Sequence, residues 1–367
     1  MKYLLYVITV LLSLQSLAQD CVPQLLIQKA GVWVPKSKGS EGGTATELLK
    51  EKKIVGAIHT MIKAKYTPMG VEADFGGVYD RREENRAGNG YYYRIIPRNY
   101  YCNANTVKTE GETGSYFQVA ANMFDSEIYD TAQGDRLQLE CFNAMHDLPV
   151  QKDGYWFFKE INISLGGGVT GKRAMWLITY EGKLPYAYVT RKEFLEKRIT
   201  ALVAIKSMAA GGIKDALKNI DIEKSFKEKE FKGNAAKMDQ YMKTDYLPRK
   251  IKYEKQLADN DNTYAPAFTA IETQLKMPAA ELEQQAIVKV DPHTSLNYLF
   301  TNDDDSFGQI LIKPNPAYFN KKLARSTPQF FMVYVTADDK EPIAAKFKAN
   351  IIKAVDFTLL KNMLGKQ

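Results

Sequence analysis

The stretch whose spacing comes closest to a catalytic motif lies at residues 166–172 and reads GGGVTGK. It matches the G-x-x-x-x-G-K pattern of a phosphate-binding loop, whose backbone amides surround the phosphates. The next residue, Arg173, stands where that motif needs Ser or Thr to reach the metal ion. Residues 174–180 (AMWLITY) predict a strand where a helix should begin at the phosphate. We therefore favour a glycine-rich hairpin between two strands.

Histidine chemistry has few candidates, because the chain contains only three histidines, His59, His146 and His293. No two of them have the spacing of a zinc pair on a helix, and His59 lies beside the apolar face of a predicted helix, which favours a structural role. Cys141, His146 and Asp147 have the types of a nucleophile, a base and an orienting acid. No family signature surrounds the cysteine, so we assign no catalytic residues.

Three consecutive aspartates, Asp303, Asp304 and Asp305, resemble half of a calcium-binding loop. The twelfth position counted from Asp303 is Pro314, where an EF-hand needs a bidentate glutamate. A solvated turn is the preferred interpretation. We accordingly predict neither a metal site nor a cofactor.

Aromatic clusters in strand-like sequence are the strongest candidates for a binding surface. Alternate residues of a strand face opposite sides of the sheet, so one ring can fill the core while its neighbour stays open to a sugar ring or a peptide. The predicted binding residues are Trp156, Tyr155 and Tyr92. The alternative is that helices or loops cover the outer face, since aromatic strands are common in cores.

The chain has three cysteines, of which Cys102 and Cys141 both lie in strand-rich sequence. A disulfide between them would close a loop of 40 residues and stabilise the fold by up to about 4 kcal/mol in the chain-entropy model. Cys21 would then stay unpaired. Three free thiols are the alternative, because sequence cannot prove connectivity.

The first 18 residues predict a cleavable export signal. Lys2 supplies a positive charge, residues 4–14 form an apolar run, and residues 16–18 (SLA) fit a signal-peptidase site. The run is shorter than the roughly 20 residues that cross a bilayer; a buried helix is the alternative. Asp20 precedes Cys21 and argues against a lipid anchor there. We expect a periplasmic or extracellular protein without a transmembrane segment.

The elements that would position these residues follow a simple order. Residues 19–43 predict an N-terminal segment and linker, 44–190 an α+β domain, 191–285 a helical region, and 286–367 strands and a helix. This order allows the C-terminal strands to complete the N-terminal sheet. No strand–helix–strand alternation appears, so the predicted fold class is α+β: an antiparallel sheet packed with helices, with a mostly helical middle region.

Local signals support this division. Thr44 with Glu47, and Thr190 with Glu193, have the spacing of helix capping boxes. Residues 330–335 (FFMVYV) predict a strand that is buried on both faces. An apolar fraction of 45% and a charged fraction of 25% are ordinary for a globular protein.

The basic excess of the chain is concentrated in the helical region. The whole sequence has a formal net charge of +7, and residues 191–255 alone hold 17 Lys or Arg against 10 Asp or Glu. The signs are interspersed, as on a solvated helix face. Export makes nucleic acid a poor partner, which leaves acidic envelope polymers as the functional alternative.

Three segments carry a family resemblance. Residues 16–20 (SLAQD), 184–195 (LPYAYVTRKEFL) and 313–319 (KPNPAYF) are similar to segments of secreted proteins from Bacteroidetes-type bacteria that have no known activity. The resemblance implies an exported protein and transfers no catalytic residue. Together with the residues above, it favours non-catalytic binding of an envelope protein or glycan. The alternative is an envelope-directed hydrolase that uses carboxylates, with no pair selected by the sequence.

Overall fold

The structure is a computed structural model, and it describes residues 21–36, 41–81, 88–124, 130–131, 142–145, 148–180, 183–289, 299–301 and 308–366. The strands in this part of the chain are β1 Val32–Pro35, β2 Val71–Arg81, β3 Gly90–Asn103, β4 Thr106–Thr109, β5 Tyr116–Ala121, β6 Asp130–Thr131, β7 Asn143–Met145, β8 Val150–Lys152, β9 Tyr155–Gly166, β10 Val169–Ile178, β11 Tyr186–Tyr188, β12 Ile287–Lys289, β13 Leu299–Phe300, β14 Gly308–Pro314 and β15 Phe331–Ala337.

The helices are α1 Pro23–Leu26, α2 Ala45–Lys65, α3 Arg191–Glu230, α4 Ala235–Tyr241, α5 Leu247–Ala258, α6 Asn260–Gln274, α7 Ala279–Leu282, α8 Pro342–Ala354 and α9 Phe357–Met363. A π-helical segment, Met242–Tyr246, joins α4 to α5. Together these elements form an α+β fold with a mostly helical middle region, as the sequence predicts.

The chain divides into two compact units. Unit 1 comprises the described residues within 21–124, 148–185 and 315–366, and unit 2 comprises those within 130–145 and 186–314. Both units are therefore discontinuous in sequence, whereas the segments predicted above are continuous.

Unit 1 is built on one large sheet with the strand order β1-β2-β3-β5-β15-β10-β9-β8, and β4 extends β3. Only β1 and β2 pair in parallel; the other neighbours are antiparallel. The C-terminal strand β15 lies between β5 and β10, with Val333 opposite both Val119 and Trp176. All seven residues of β15 are buried, which confirms the prediction of a strand covered on both faces.

One face of this sheet packs against α2, α8 and α9. Helix α2 begins at a complete capping box, in which the Thr44 hydroxyl accepts from the Glu47 amide and the Glu47 carboxylate accepts from the Thr44 amide. Its inner face buries Ile54, Ile58 and Ile62 at the helical spacing of four residues.

A disulfide joins Cys21 to Cys102. The predicted pairing of Cys102 with Cys141 is therefore wrong, and Cys141 itself lies outside the described residues. The reason is topological: the segment after Cys21 packs through Leu26 against Val71 and Tyr100 of the sheet, which brings the two sulfurs together. Sequence position alone did not indicate that contact.

Unit 2 combines a smaller sheet with the long helices. The sheet has the order β13-β12-β14-β7-β6, and β11 pairs with β14. Its core joins Leu311 and Val288 of the sheet to Phe194 and Leu202 of α3. Helix α3 continues without a break through Gly211 and Gly212, because a helix tolerates isolated glycines at a cost of about 1 kcal/mol each.

Candidate binding site

The face of the large sheet opposite the helices carries charged side chains on neighbouring strands. In β2, Ala73 and Phe75 face the core, so Asp74 and Gly76 point to the other side. The register places Asp74 opposite Ile96 and Gly76 opposite Arg94 of β3. Asp74 and Arg94 are consequently diagonal neighbours on the same face.

These residues line a cavity of about 380 Å³ beside β2. Three cationic and two acidic side chains contribute to it, together with backbone and apolar groups. The lining residues are Lys36, Glu41, Lys52, Asp74, Gly76, Gly77, Val78, Tyr79, Arg94 and Ile96.

The Asp74 carboxyl group is largely buried, with a side-chain exposure of 12%. Its Oδ2 lies 3.8 Å from the Arg98 guanidinium, whereas its Oδ1 is buried and accepts no hydrogen bond within the described residues. Burial raises the pKa of Asp74 above its usual range, and the positive charges of Arg98 and Lys36 oppose the rise. The cavity thus contains a carboxyl group with an unused acceptor.

Arg94 supplies the complementary group. Its guanidinium carbon lies 4.6 Å from the centre of the Tyr116 ring, a cation–π contact that fixes the side chain on the sheet. The Nε–H is buried and finds no acceptor among the residues that the structure describes. Arg94 and Asp74, which carry this buried donor and this buried acceptor, both line the cavity.

The remaining charges are held in ion pairs around the rim. Lys36 Nζ lies 2.7 Å from Glu112 Oε1 and holds the pKa of that carboxyl group below its usual range. Lys52 Nζ lies 2.7 Å from Glu41 Oε1 and 5.9 Å from the ring centre of Tyr79.

Tyr79 and Gly77 form one wall of the cavity. The hydroxyl of Tyr79 lies 2.3 Å from the position that a Cβ on Gly77 would take, so only glycine allows this packing. Burial, followed by the charges of Glu41 and Glu51, raises the pKa of Tyr79 to about 12. The phenol is therefore neutral at physiological pH and can both donate and accept.

The three predicted binding residues lie at separate places. Tyr155 points to the core side, where its ring packs 5.3 Å from that of Phe357 and its hydroxyl contacts Thr358 at 3.1 Å. Trp156 faces the opposite side, and its Nε1–H donates to the Thr179 hydroxyl at 3.3 Å.

Tyr92 and Trp156 share the outer face and the same cross-strand row. Three strands separate them, which corresponds to about 19 Å. Met332 and Leu177, which lie between them in that row, are fully buried. The row is therefore not one open aromatic platform, and the binding roles of these residues stay predictions.

The glycine-rich stretch forms the predicted hairpin. Gly166 of β9 pairs with Val169 of β10, and a strand follows where a phosphate-binding loop would need a helix. Gly167 and Gly168 make the turn with positive φ angles of 58° and 80°.

The other candidates are partly described. Nδ1 of His59 lies 2.9 Å from the Tyr93 hydroxyl, and the imidazole stacks on Phe75 at 4.2 Å. Burial, and then the charge of Lys63, lower the pKa of His59. This is the packing of a structural histidine. The residues Cys141, His146, Asp147, His293, Asp303, Asp304 and Asp305 lie outside the described part of the chain.

The described part of the chain contains no group of three or more His, Cys, Asp or Glu side chains arranged to hold a metal ion. No helix in the same residues is both long and apolar enough to span a bilayer.

Sequence reasoning missed the cavity, although a signal for it exists. Glu72 and Asp74 alternate with apolar residues in β2, and Arg94 and Arg98 lie an even number of residues apart in β3. That alternation indicates a charged outer face on two strands, and only the register shows which charges become neighbours. Comparison with protein-family models, with curated proteins and with solved structures finds no match for this chain.

Proposed function

We propose that this protein is an exported binding protein and that the cavity beside β2 holds a segment of an envelope glycan. The observation that carries the proposal is the pair of buried, unpartnered groups in one cavity: the Asp74 Oδ1 acceptor and the Arg94 Nε–H donor. Buried polar groups are normally hydrogen-bonded, and a ligand that fills the cavity would satisfy both.

Several properties favour a sugar as the occupant. A hydroxyl group donates and accepts at once, so neighbouring hydroxyls of one ring can meet both Asp74 and Arg94. The cavity volume of about 380 Å³ is within the range of small-ligand sites. An envelope protein that inserts a polar segment is the alternative occupant.

Export is supported by the Cys21–Cys102 disulfide, since disulfides persist in oxidising compartments. It is also supported by the sequence pattern of residues 1–18. Amino-terminal sequencing of the protein recovered from its native host tests this part, and a first residue near Gln19 is the expected result.

The binding proposal is tested on a glycan array, followed by calorimetry with the best ligand. Asp74→Ala and Arg94→Lys each remove one hydrogen bond to a charged group, so we expect affinity to fall about tenfold or more. Matched substitutions in unit 2, Asp239→Ala and Arg249→Lys, should leave affinity unchanged. If no glycan binds, or if the two cavity variants bind as the wild type does, the proposal is wrong.

Two neighbouring carboxyl groups favour a second candidate function, a carboxylate-dependent hydrolase: Asp74 and Glu72 approach the same Arg98 guanidinium at 3.8 Å and 3.9 Å. A general acid must hold its proton until it reacts, and burial shifts the pKa of Asp74 in that direction. Incubation of the bound glycan with the wild type separates the two functions. New reducing ends that disappear in Asp74→Asn would indicate a hydrolase; an intact glycan indicates a binder.

A further inference from the structure

In unit 2, the part of α3 that follows Leu202 is exposed over much of its surface. Helix α3 contains 40 residues and is therefore about 60 Å long. It packs against α5 and α6 through its inner side. Beyond Leu202 the only buried residue of α3 is Ile220, so most of this half of the helix is open to solvent.

Large apolar side chains lie on that open side. Met208, Ile222 and Phe226 are 59%, 44% and 61% exposed. Their separations of 14 and 4 residues place them on one side of the helix, about 120–160° from Ile220 and Leu202. Ile222 and Phe226 are one turn apart and Met208 lies about four turns earlier; these three side chains are the apolar stripe.

Most acidic residues around the stripe are in ion pairs, and several lysines have no acidic partner in the part of the chain that the structure describes. Lys224 contacts Glu228 at 3.4 Å, Lys227 contacts Glu230 at 2.6 Å, and the acids near the π-helical segment pair with Lys243 and Arg249. Five lysines of this region have no acidic partner within the described residues. They are Lys214, Lys218, Lys229, Lys232 and Lys237.

Lys218 and Lys229 belong to the same side of α3 as the apolar stripe. Both are exposed, and they lie four residues before and seven residues after Ile222. Asp215 is the one acidic residue of α3 on that side between Met208 and Lys229. The face therefore combines apolar side chains with two lysines, and the Lys229 ammonium lies 5.9 Å from the centre of the Phe226 ring. Lysines beside apolar side chains on one helix face are found where helices bind a membrane interface.

We propose that this face, defined by Met208, Lys218, Ile222, Phe226 and Lys229, binds the surface of an anionic phospholipid bilayer. Charge complementarity accounts for the lysines, because each Lys near an anionic membrane contributes about 1 kcal/mol. The apolar residues decide between a lipid surface and a soluble acidic polymer. Phe226 and Ile222 gain free energy only where an apolar phase can receive them, and an acidic polymer offers none.

A fluorescent reporter tests insertion directly. Tryptophan at position 226 (Phe226→Trp) in the full mature chain should shift its emission to the blue when phosphatidylglycerol vesicles are added. The three native tryptophans, Trp33, Trp156 and Trp176, give the background, which the wild-type chain measures separately. Leu49→Trp is the matched control, because Leu49 is 71% exposed on α2 of unit 1 and should show no shift.

Vesicle co-sedimentation tests the two components of the surface. Lys218→Gln and Lys229→Gln should each weaken binding to phosphatidylglycerol vesicles about fivefold, the equivalent of 1 kcal/mol, and Lys53→Gln on α2 should not. Ile222→Ser with Phe226→Ser should abolish co-sedimentation while the circular dichroism spectrum stays unchanged. Phosphatidylcholine vesicles should bind weakly, and added salt should reduce binding to the anionic ones.

Three outcomes would overturn the proposal. The first is the absence of binding to anionic vesicles. The second is binding to a soluble polyanion that the two serine substitutions leave unchanged, which would indicate an acidic polymer as the partner. The third is a dimer in solution that these substitutions dissociate, which would make the stripe a contact between two copies. Asp74→Ala should keep vesicle binding, so the cavity and this face are tested independently.

Discussion

The large sheet of unit 1 and the long helix α3 of unit 2 bury their residues to very different extents. Every residue of β15 is buried, and the helices α2, α8 and α9 cover one face of the sheet. In α3, five of the six buried residues lie in the first 12 positions, and the distal half contributes only Ile220. An extensively buried sheet can hold a cavity with fixed geometry, whereas a long helix that is mostly exposed offers an extended surface. Accordingly, the proposed glycan site is a cavity in unit 1, and the proposed bilayer-binding face lies on α3.

Truncation of one phenylalanine in each region should give the largest difference. Phe347 of α8 is 1% exposed and packs 5.9 Å from the Tyr66 ring, so Phe347→Ala should reduce the free energy of unfolding by about 3–5 kcal/mol. Phe226→Ala should change it by less than about 0.5 kcal/mol, because the side chain is 61% exposed. Urea denaturation of both variants checks this. Equal losses would contradict the contrast in burial.

The disulfide gives the next largest effect and concerns unit 1 alone. The linked residues are 81 positions apart, so Cys21→Ser with Cys102→Ser should lower stability by about 2–4 kcal/mol. Cys141→Ser should have no effect on this pair. Peptide mapping without reduction should recover residues 21 and 102 in one linked fragment. A fragment that links Cys102 to Cys141 would contradict the Cys21–Cys102 disulfide and support the pairing predicted from the sequence.

Local sequence patterns were sufficient for the elements and insufficient for their long-range partners. The capping boxes, the buried strand at 330–335 and the helical middle follow from spacing and composition over a few residues. The place of β15 between β5 and β10 depends on contacts across more than 150 residues, which no local pattern contains. The same applies to the disulfide and to the neighbourhood of Asp74 and Arg94, which the register of β2 and β3 creates.

The second capping box shows this limit in one residue. The Thr190 hydroxyl accepts from the Glu193 amide as predicted, at 3.1 Å. The Glu193 carboxylate, however, accepts from Lys313 Nζ at 2.6 Å, a partner 120 residues away. The sequence indicates the helix start, and the fold of unit 2 decides what its glutamate contacts.

Substitution of the N-cap threonines compares how the first turns of α2 and α3 are stabilised. Thr44→Ala and Thr190→Ala each lose a hydrogen bond to an orphan amide, and each should cost about 1 kcal/mol. Hydrogen exchange should rise in the first turn of α2 for one variant and of α3 for the other. A cap substitution that leaves exchange unchanged in its own helix would show that tertiary packing alone fixes that end.

The pH dependence of Asp74 gives the smallest effect and connects stability to the site. Its pKa is raised in the folded state by burial, so folding favours the protonated form. The stabilisation is complete below the pKa of Asp74 in the unfolded chain and is lost as pH rises through its higher pKa in the folded protein.

At neutral pH the charged Asp74 therefore opposes folding slightly, and Asp74→Asn should be at least as stable as the wild type. As the pH falls through the acidic range, the wild type should approach the variant. Urea denaturation across that range, with the exposed Asp239→Asn as control, measures the difference. A wild type that is more stable than Asp74→Asn at neutral pH would mean that the attraction between Arg98 and Asp74 outweighs the cost of burial. Asp74 would then belong to a stable ion pair and would not be an acceptor for a ligand.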